Sequence, residues 1–243
     1  VLRRAVPMVA VIFGGLIAAL LLRPLERLRH GDGRPWTAGL TVGVCRVALR
    51  LLGLKQDRRG TPLQSGGAWV ANHVSWLDIL VLNAGGRVVF VSKAEVARWP
   101  GIGWLARATG TVFVTRDRRA AAADVARLRS RLAQGQVLMF FPEGTSTDGL
   151  RVLPFKPTLL APLIAAGLPV QAVTLTYRAP AGADPRIYGW WGDMDLGPHL
   201  LATLAHRRQG TVTVTYHAPR PTTPGDDRKD LAHHLMQDVK SAL

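Results

Sequence analysis

Residues 5 to 22, AVPMVAVIFGGLIAALLL, run for eighteen positions without a charge, and this stretch limits what the chain can become. Eighteen helical residues extend about 27 Å, close to the hydrocarbon thickness of a bilayer. A cleaved signal peptide has a similar apolar centre, but no A-x-A-like cleavage site follows. Arg3 and Arg4 precede the run, and Arg23, Arg27 and Arg29 follow it. Positive flanks of this kind favour a cytoplasmic placement of the domain that follows. The expectation is a membrane anchor; length and composition leave spanning and shallow insertion both open.

Residues 37 to 53 are again apolar, interrupted by Arg46 and Arg50, which lie four apart and so on one helix face. Two readings fit: a helix at the membrane interface with its arginines toward headgroups, or a core-packing helix with a basic edge. Residues 55 to 67 are polar, contain Gly and Pro, and read as a connector. The expected organisation is an anchor and interfacial helix over 1–60 and a catalytic domain over 61–243.

Lys and Arg number 31 against 16 Asp and Glu, a net charge of +15, which calls for an anionic partner. Phospholipid headgroups, nucleic acid and phosphorylated ligands all qualify. The basic residues are scattered rather than interleaved with aromatics, so no nucleic acid is expected. Cys45 is the single cysteine, which excludes an intramolecular disulfide and a Cys-based metal cluster. No metal site is expected, and His233 with His234 reads as a solvated helix surface.

From residue 68 onward strands and helices alternate. Strands are expected over 68–71, 87–92, 111–115, 137–141, 170–177 and 211–217. Helices are expected over 76–84, 103–108, 118–134, 157–166, 199–208 and 227–242, with Gly135 and Gly167 placed to cap two of them. The alternation argues for an α/β domain: a mixed sheet flanked by helices, preceded by the hydrophobic anchoring segment.

Three stretches could carry chemistry. The first is Asn72-His73-Val74-Ser75-Trp76-Leu77-Asp78, a histidine and a carboxylate in H-x4-D spacing at a strand-to-helix turn. Five residues of regular helix is about 500°, so the two side chains cannot share a face of one continuous helix. They can meet if Ser75 caps the helix and Asp78, its third residue, reaches back. Ser75-x-x-Asp78 is equally a plain capping box. The second stretch begins with Lys93 at one strand end and closes with Arg116 at another, two cations suited to a phosphate. The third is Phe140-Phe141-Pro142-Glu143-Gly144-Thr145-Ser146, where Glu143 can accept hydrogen bonds from a substrate hydroxyl or from its own loop. A nucleophile elbow, a glycine-rich phosphate loop, an H-E-x-x-H helix and a dinucleotide fingerprint are missing. A His base without a protein nucleophile implies a substrate that brings its own hydroxyl or water.

Taken in series, the 72–78 stretch, the Lys93…Pro100-x-x-Gly103…Gly110-x-x-Phe113-x-x-Arg116 stretch and Phe141-Pro142-Glu143-Gly144-Thr145 resemble the first three motifs of the glycerolipid acyltransferase family, the lysophosphatidic acid (1-acyl-sn-glycerol-3-phosphate) acyltransferases. The resemblance covers roughly residues 68 to 178. It departs at Ser146, where the family usually has arginine, and at Ala172, where proline is frequent. Trp190-Trp191-Gly192-Asp193-Met194 and His199-Leu200 look like a bacterial branch that includes lyso-ornithine-lipid acyltransferases. The resemblance implies His73 as general base and Asp78 as its orienting partner. It also implies Lys93, Arg116, Glu143, Gly144 and Thr145 around the acceptor. The implied reaction is O-acylation of lysophosphatidic acid to phosphatidic acid without an acyl-enzyme, with lyso-ornithine lipid as the alternative acceptor. Acyl-CoA or acyl-carrier protein is the implied co-substrate and no cofactor is expected. Backbone N–H groups near Gly144 are candidates for an oxyanion hole. The expected location is the inner membrane, with the catalytic domain facing the cytoplasm and membrane phospholipids as its surroundings.

Overall fold

Gly67–Ala71 is buried at every position, as a strand must be when it sits mid-sheet with helices on both faces. In the computed structural model, which describes residues 1–115, 117, 119 and 121–243, this segment is β2. Parallel neighbours flank it: β5 (Val137–Phe140), with Ala68 opposite Leu138, and β6 (Val170–Arg178), with Ala68 opposite Val170. The seven strands run in the order β1-β7-β6-β2-β5-β3-β4, where β1 is Lys55–Arg59, β3 Val88–Lys93, β4 Val112–Val114 and β7 Thr211–Tyr216. Only the β6–β7 pair is antiparallel among the described residues.

The period-2 alternation of the strands sends side chains into two cores. Trp69, Ala71, Met139 and Val173 face α2 (Pro35–Leu52) and α3 (Leu77–Gly85). Ala68, Val70, Leu138 and Ala172 face α5 (Ala121–Ala133), α6 (Ala161–Ala165) and α8 (Arg228–Ser241). The remaining helices are α1 (Leu2–His30), α4 (Ile102–Ala108) and α7 (Leu196–Ala205). Gly135 and Gly167 both take positive φ at helix ends, as their positions predict.

One expectation changes. Residues 55–59 are not connector: they form β1, an edge strand parallel to β7, so the sheet begins five residues before the boundary at 60. The reason is legible afterwards. KQDRR lies almost wholly exposed at the sheet edge, where burial never selects apolar side chains. The apolar run from 37 onward lies in α2, Pro35–Leu52, which buries Cys45, Ala48, Leu49 and Leu52. This burial supports the reading of its arginines as the basic edge of a packing helix.

The apolar run lies in α1, a helix of 29 residues. Glu26 near its end is buried and accepts from the amides of Trp36 (2.7 Å) and Thr37 (2.9 Å) and from the Thr37 hydroxyl (2.7 Å). It thereby caps α2 from a neighbouring helix, where orphan N–H groups need an acceptor. At the other end Arg4 donates to the carbonyls of Leu204 and Arg207 at the end of α7 (3.3 and 2.9 Å). Both ends of α1 are therefore fastened within the fold: Arg4 to the end of α7, Glu26 to the start of α2.

Candidate active site

Because β2, β5, β3 and β6 all run the same way, their C-terminal ends meet at one edge of the sheet. Asn72 sits where β2 stops. Its buried side-chain amide donates to the Leu175 carbonyl (2.9 Å) and accepts from the Leu175 N–H (2.8 Å). The side chain thus continues the β2–β6 pairing for one step, and fixes where the chain turns away.

His73 follows, held through its own peptide. Its N–H donates to Glu143 Oε1 (2.7 Å), and its carbonyl accepts from the Thr147 N–H (2.9 Å). Its ring lies flat on Phe141, centroids 3.9 Å apart and planes 10° from parallel. Nδ1 is 2.7 Å from Asp78 Oδ2. Asp78, fully buried, also accepts from the amides of Val74 (2.7 Å) and Ser75 (3.0 Å) and from the Tyr177 hydroxyl at Oδ1 (2.7 Å). Each of these neighbours donates, so the side chain acts as a carboxylate acceptor and Nδ1 carries the histidine proton. Nε2 is left with its lone pair, on a side chain 19% exposed.

The capping box forms only in part: α3 starts at Leu77 with Trp76 rather than Ser75 at its N-cap, and the Asp78 N–H goes to the Ser75 carbonyl (3.1 Å) instead of to its hydroxyl. Ser75 Oγ accepts from the Leu77 N–H (3.2 Å), and Asp78 reaches back to the Ser75 N–H. A single carboxylate thus ties the turn before α3 and orients His73, while the expected N-cap at Ser75 moves to Trp76.

Backbone amides rather than a neighbour in its own turn engage both oxygens of Glu143: Oε1 receives the N–H of His73, seventy positions away, and Oε2 that of Leu153 (2.7 Å each). At 2% exposure the carboxyl faces backbone. Burial raises its pKa above the ordinary value; the Leu153 and His73 amides act the other way. Gly144 takes φ +73, and a Cβ there would stand 2.6 Å from Lys156 Nζ. Its N–H donates to the Phe141 carbonyl (3.1 Å), so that amide is already engaged within the turn rather than open to an oxyanion. Lys93 Nζ donates to the Gly144 carbonyl (2.7 Å), which brings the end of β3 beside the 141–147 loop. Thr145 is exposed on that loop. Arg116 lies outside the described residues.

Several participants leave no local signal in the sequence. Tyr177 is 99 positions from Asp78, and burial first, then the Asp78 charge, raises its pKa well above the ordinary value. It remains a donor. Lys156 arrives from the turn before α6, beside Gly144. The Trp190 N–H donates to the Val74 carbonyl (2.9 Å), and its ring meets Trp99 edge-on at 6.1 Å. Trp76 Nε1 donates to Nδ1 of the buried His199 (3.1 Å), whose pKa is lowered by burial. The Trp190–Trp191 segment marked out in the sequence is therefore wall to this site.

The arrangement can take a proton at His73 Nε2 from an oxygen placed above the Phe141-stacked ring. No Ser, Thr or Cys side chain hydrogen-bonds to Nε2 among the described residues, which fits attack by a substrate oxygen.

A family model described as acyltransferase matches residues 55–176. The lyso-ornithine lipid O-acyltransferase of Rhodobacter capsulatus is 51% identical over 240 residues, 97% of this chain and 87% of the relative. The 1-acyl-sn-glycerol-3-phosphate acyltransferase of Neisseria gonorrhoeae is 30% identical over 85% of this chain and 80% of its own. A crystal structure of the 1-acyl-sn-glycerophosphate acyltransferase of Thermotoga maritima superposes with a TM-score of 0.69 over 99% of this chain and 92% of that one, at 22% identity, a likeness of fold.

Proposed function

The chain belongs to the glycerolipid acyltransferase family, and from that premise we propose that it O-acylates a lyso-ornithine lipid from an acyl-carrier protein or acyl-CoA thioester. The observation that carries the acceptor is the 51% identity to a lyso-ornithine lipid O-acyltransferase across 97% of the chain. Lysophosphatidic acid, the first expectation from the motifs, becomes the second reading, favoured by relatives at 30% identity.

In the proposed mechanism His73 Nε2 takes the proton of the acceptor hydroxyl as its oxygen bonds to the thioester carbon. The tetrahedral adduct then collapses, the C–S bond breaks, and His73 returns the proton to the leaving thiolate. Asp78, held by three further donors, keeps Nδ1 protonated and stabilises the imidazolium that forms between the two steps. Glu143 serves by fixing the His73 peptide, while Lys93, Lys156 and Arg116 supply cations for the acceptor's anionic group, a carboxylate in ornithine. Thr145 and Gly144 lie at the acceptor's entry.

The α1–α2 hairpin holds the site at the membrane in this reading, lying in the cytoplasmic leaflet of the inner membrane. A continuous stripe supports this: Leu2, Val6, Val9, Phe13, Ile17 and Leu20 are exposed along one side of α1.

The deciding experiment supplies purified protein with lyso-ornithine lipid or lysophosphatidic acid, each with both donor types. We expect higher kcat/KM on lyso-ornithine lipid. Equal or better turnover of lysophosphatidic acid would reverse the acceptor assignment, and undiminished activity of His73→Ala would remove the mechanism.

A further inference from the structure

The edge of the sheet opposite His73 holds a cavity of about 600 Å³. Its lining comes from α2, the segment before β2, Trp69 and the α3–β3 turn and includes none of the residues placed around His73, so this is not the acceptor pocket. Val42 and Arg46 reach it from α2, Leu63 from the segment before β2, Trp69 from the middle of β2, and Arg87 from the entry to β3.

Its polar side is cationic, and no acidic residue lines it. Arg46 uses Nε on the Ala84 carbonyl (3.0 Å), where Arg58 also donates (2.7 Å), so the negative end of α3 is already answered by two guanidinium groups. The terminal nitrogens of Arg46 and the whole guanidinium of Arg87 have no hydrogen-bond partner among the described residues. Behind the wall, the Tyr216 hydroxyl is buried without a partner. A Cβ at Gly85 would stand 2.2 Å from it, so glycine is what lets the wall close over that hydroxyl. The other half of the lining, Val42, Leu63 and Trp69, is apolar. The helix that supplies Arg46 packs directly on α1, with Gly15 against Val44, so the cavity lies behind the hairpin that carries the exposed apolar stripe.

We propose that this cavity binds the headgroup phosphate of an anionic phospholipid, with Arg46 and Arg87 on the phosphate oxygens and the glycerol root against Val42, Leu63 and Trp69. Two guanidinium forks converging without a carboxylate suit a tetrahedral phosphate. A free phosphate offers the same oxygens, but would leave the apolar half of the lining uncovered.

The test is calorimetric titration of the detergent-solubilised full chain with dihexanoyl phosphatidylglycerol, and in a separate arm with inorganic phosphate. The wild type should bind the lipid saturably at one site and phosphate at least tenfold more weakly. Arg87→Gln should weaken the lipid at least tenfold. Gly39→Leu, whose Cβ would start 3.4 Å from Arg87 Nη2 and extend into the space, should do the same. Thermal melts should match wild type, because Arg87 holds nothing within the chain. Lipid binding unchanged in both variants would overturn the site, as would no saturable binding by the wild type. Phosphate binding as tightly as the lipid would overturn the lipid assignment.

Discussion

Four donors converge on the two oxygens of Asp78, and this concentration decides what substitutions there must do. An asparagine keeps the shape but replaces one acceptor with an N–H₂, which must face either the Tyr177 hydroxyl or the cluster formed by His73 Nδ1 and two amides. In the second case His73 loses its tautomer. Asp78→Asn should therefore lower kcat by about 10²–10⁴ with little change in KM, checked by steady-state kinetics on the purified protein. Tyr177→Phe removes one of the four bonds and leaves the tautomer, so its effect should be nearer tenfold. The two losses should be less than additive when combined, because both act on one carboxylate. Glu143 behaves differently, since its partners are peptides rather than the ring. Glu143→Gln can accept from His73 N–H or Leu153 N–H but not both. The amide left facing an N–H₂ costs about 1–3 kcal/mol, so chemical denaturation should register a stability loss alongside the loss of rate. Unchanged stability with lowered rate would mean that Glu143 meets substrate instead.

Among the elements, α1 poses the sharpest geometric question, because its 29 residues extend about 43 Å, well beyond the roughly 30 Å of a hydrocarbon core. Arg4 binds carbonyls at the end of α7, and the Asp32 carbonyl just past the helix accepts from Arg131 of α5 (3.1 Å). A helix whose two ends are tied to one fold cannot place them on opposite sides of a bilayer, so the proposed membrane reading predicts that α1 lies along the surface with its stripe in one leaflet. Cysteines introduced at Leu2 and Leu28, both exposed, should react with an impermeant maleimide from the same side of sealed membrane vesicles. Labelling of one end only would mean that the helix spans. The native thiol gives little background, since Cys45 is buried and its pKa is pushed up to about 12 by that burial. The sequence could not decide this point, because eighteen uncharged residues satisfy both geometries and the ties at Arg4 and Asp32 are long-range. The same holds for β1: nothing in KQDRR announces a strand until β7 is placed beside it. Where the pattern was local, as in the buried run of β2, sequence and structure agree, while the cap expected at Ser75 shifts by one residue to Trp76. Spacing allowed His73 and Asp78 to meet without requiring it, and the resemblance of the three motifs in series singled them out; Tyr177 and Lys156 had no local signal, because topology alone brings them there.

For the whole molecule, burial of the tyrosines ties stability to alkaline pH. The chain has three, Tyr177, Tyr188 and Tyr216, and burial raises the pKa of each, Tyr216 to about 12. In the unfolded chain all three lose their protons near pH 10. Above that pH the folded state holds protons that the unfolded state has released, so stability falls as pH rises. Below about pH 10 the contribution is complete and constant. For Tyr216 alone, a folded value of about 12 corresponds to a loss on the order of 2–3 kcal/mol between pH 10 and 12. Tyr177 adds to this with its own raised value, and the consequence there is functional too, since a tyrosinate could no longer donate to Asp78. Tyrosinate absorbance and far-UV circular dichroism should therefore change together, in one cooperative step above pH 10. A tyrosinate signal that titrated smoothly near pH 10 while the dichroism stayed constant would mean that these hydroxyls reach solvent in the folded protein. The buried donor to Asp78 would then have to be abandoned. Tyr216→Phe, which deletes a hydroxyl without a partner, should move the alkaline step to higher pH, whereas Tyr177→Phe should move it less, because it also gives up a bond to a carboxylate.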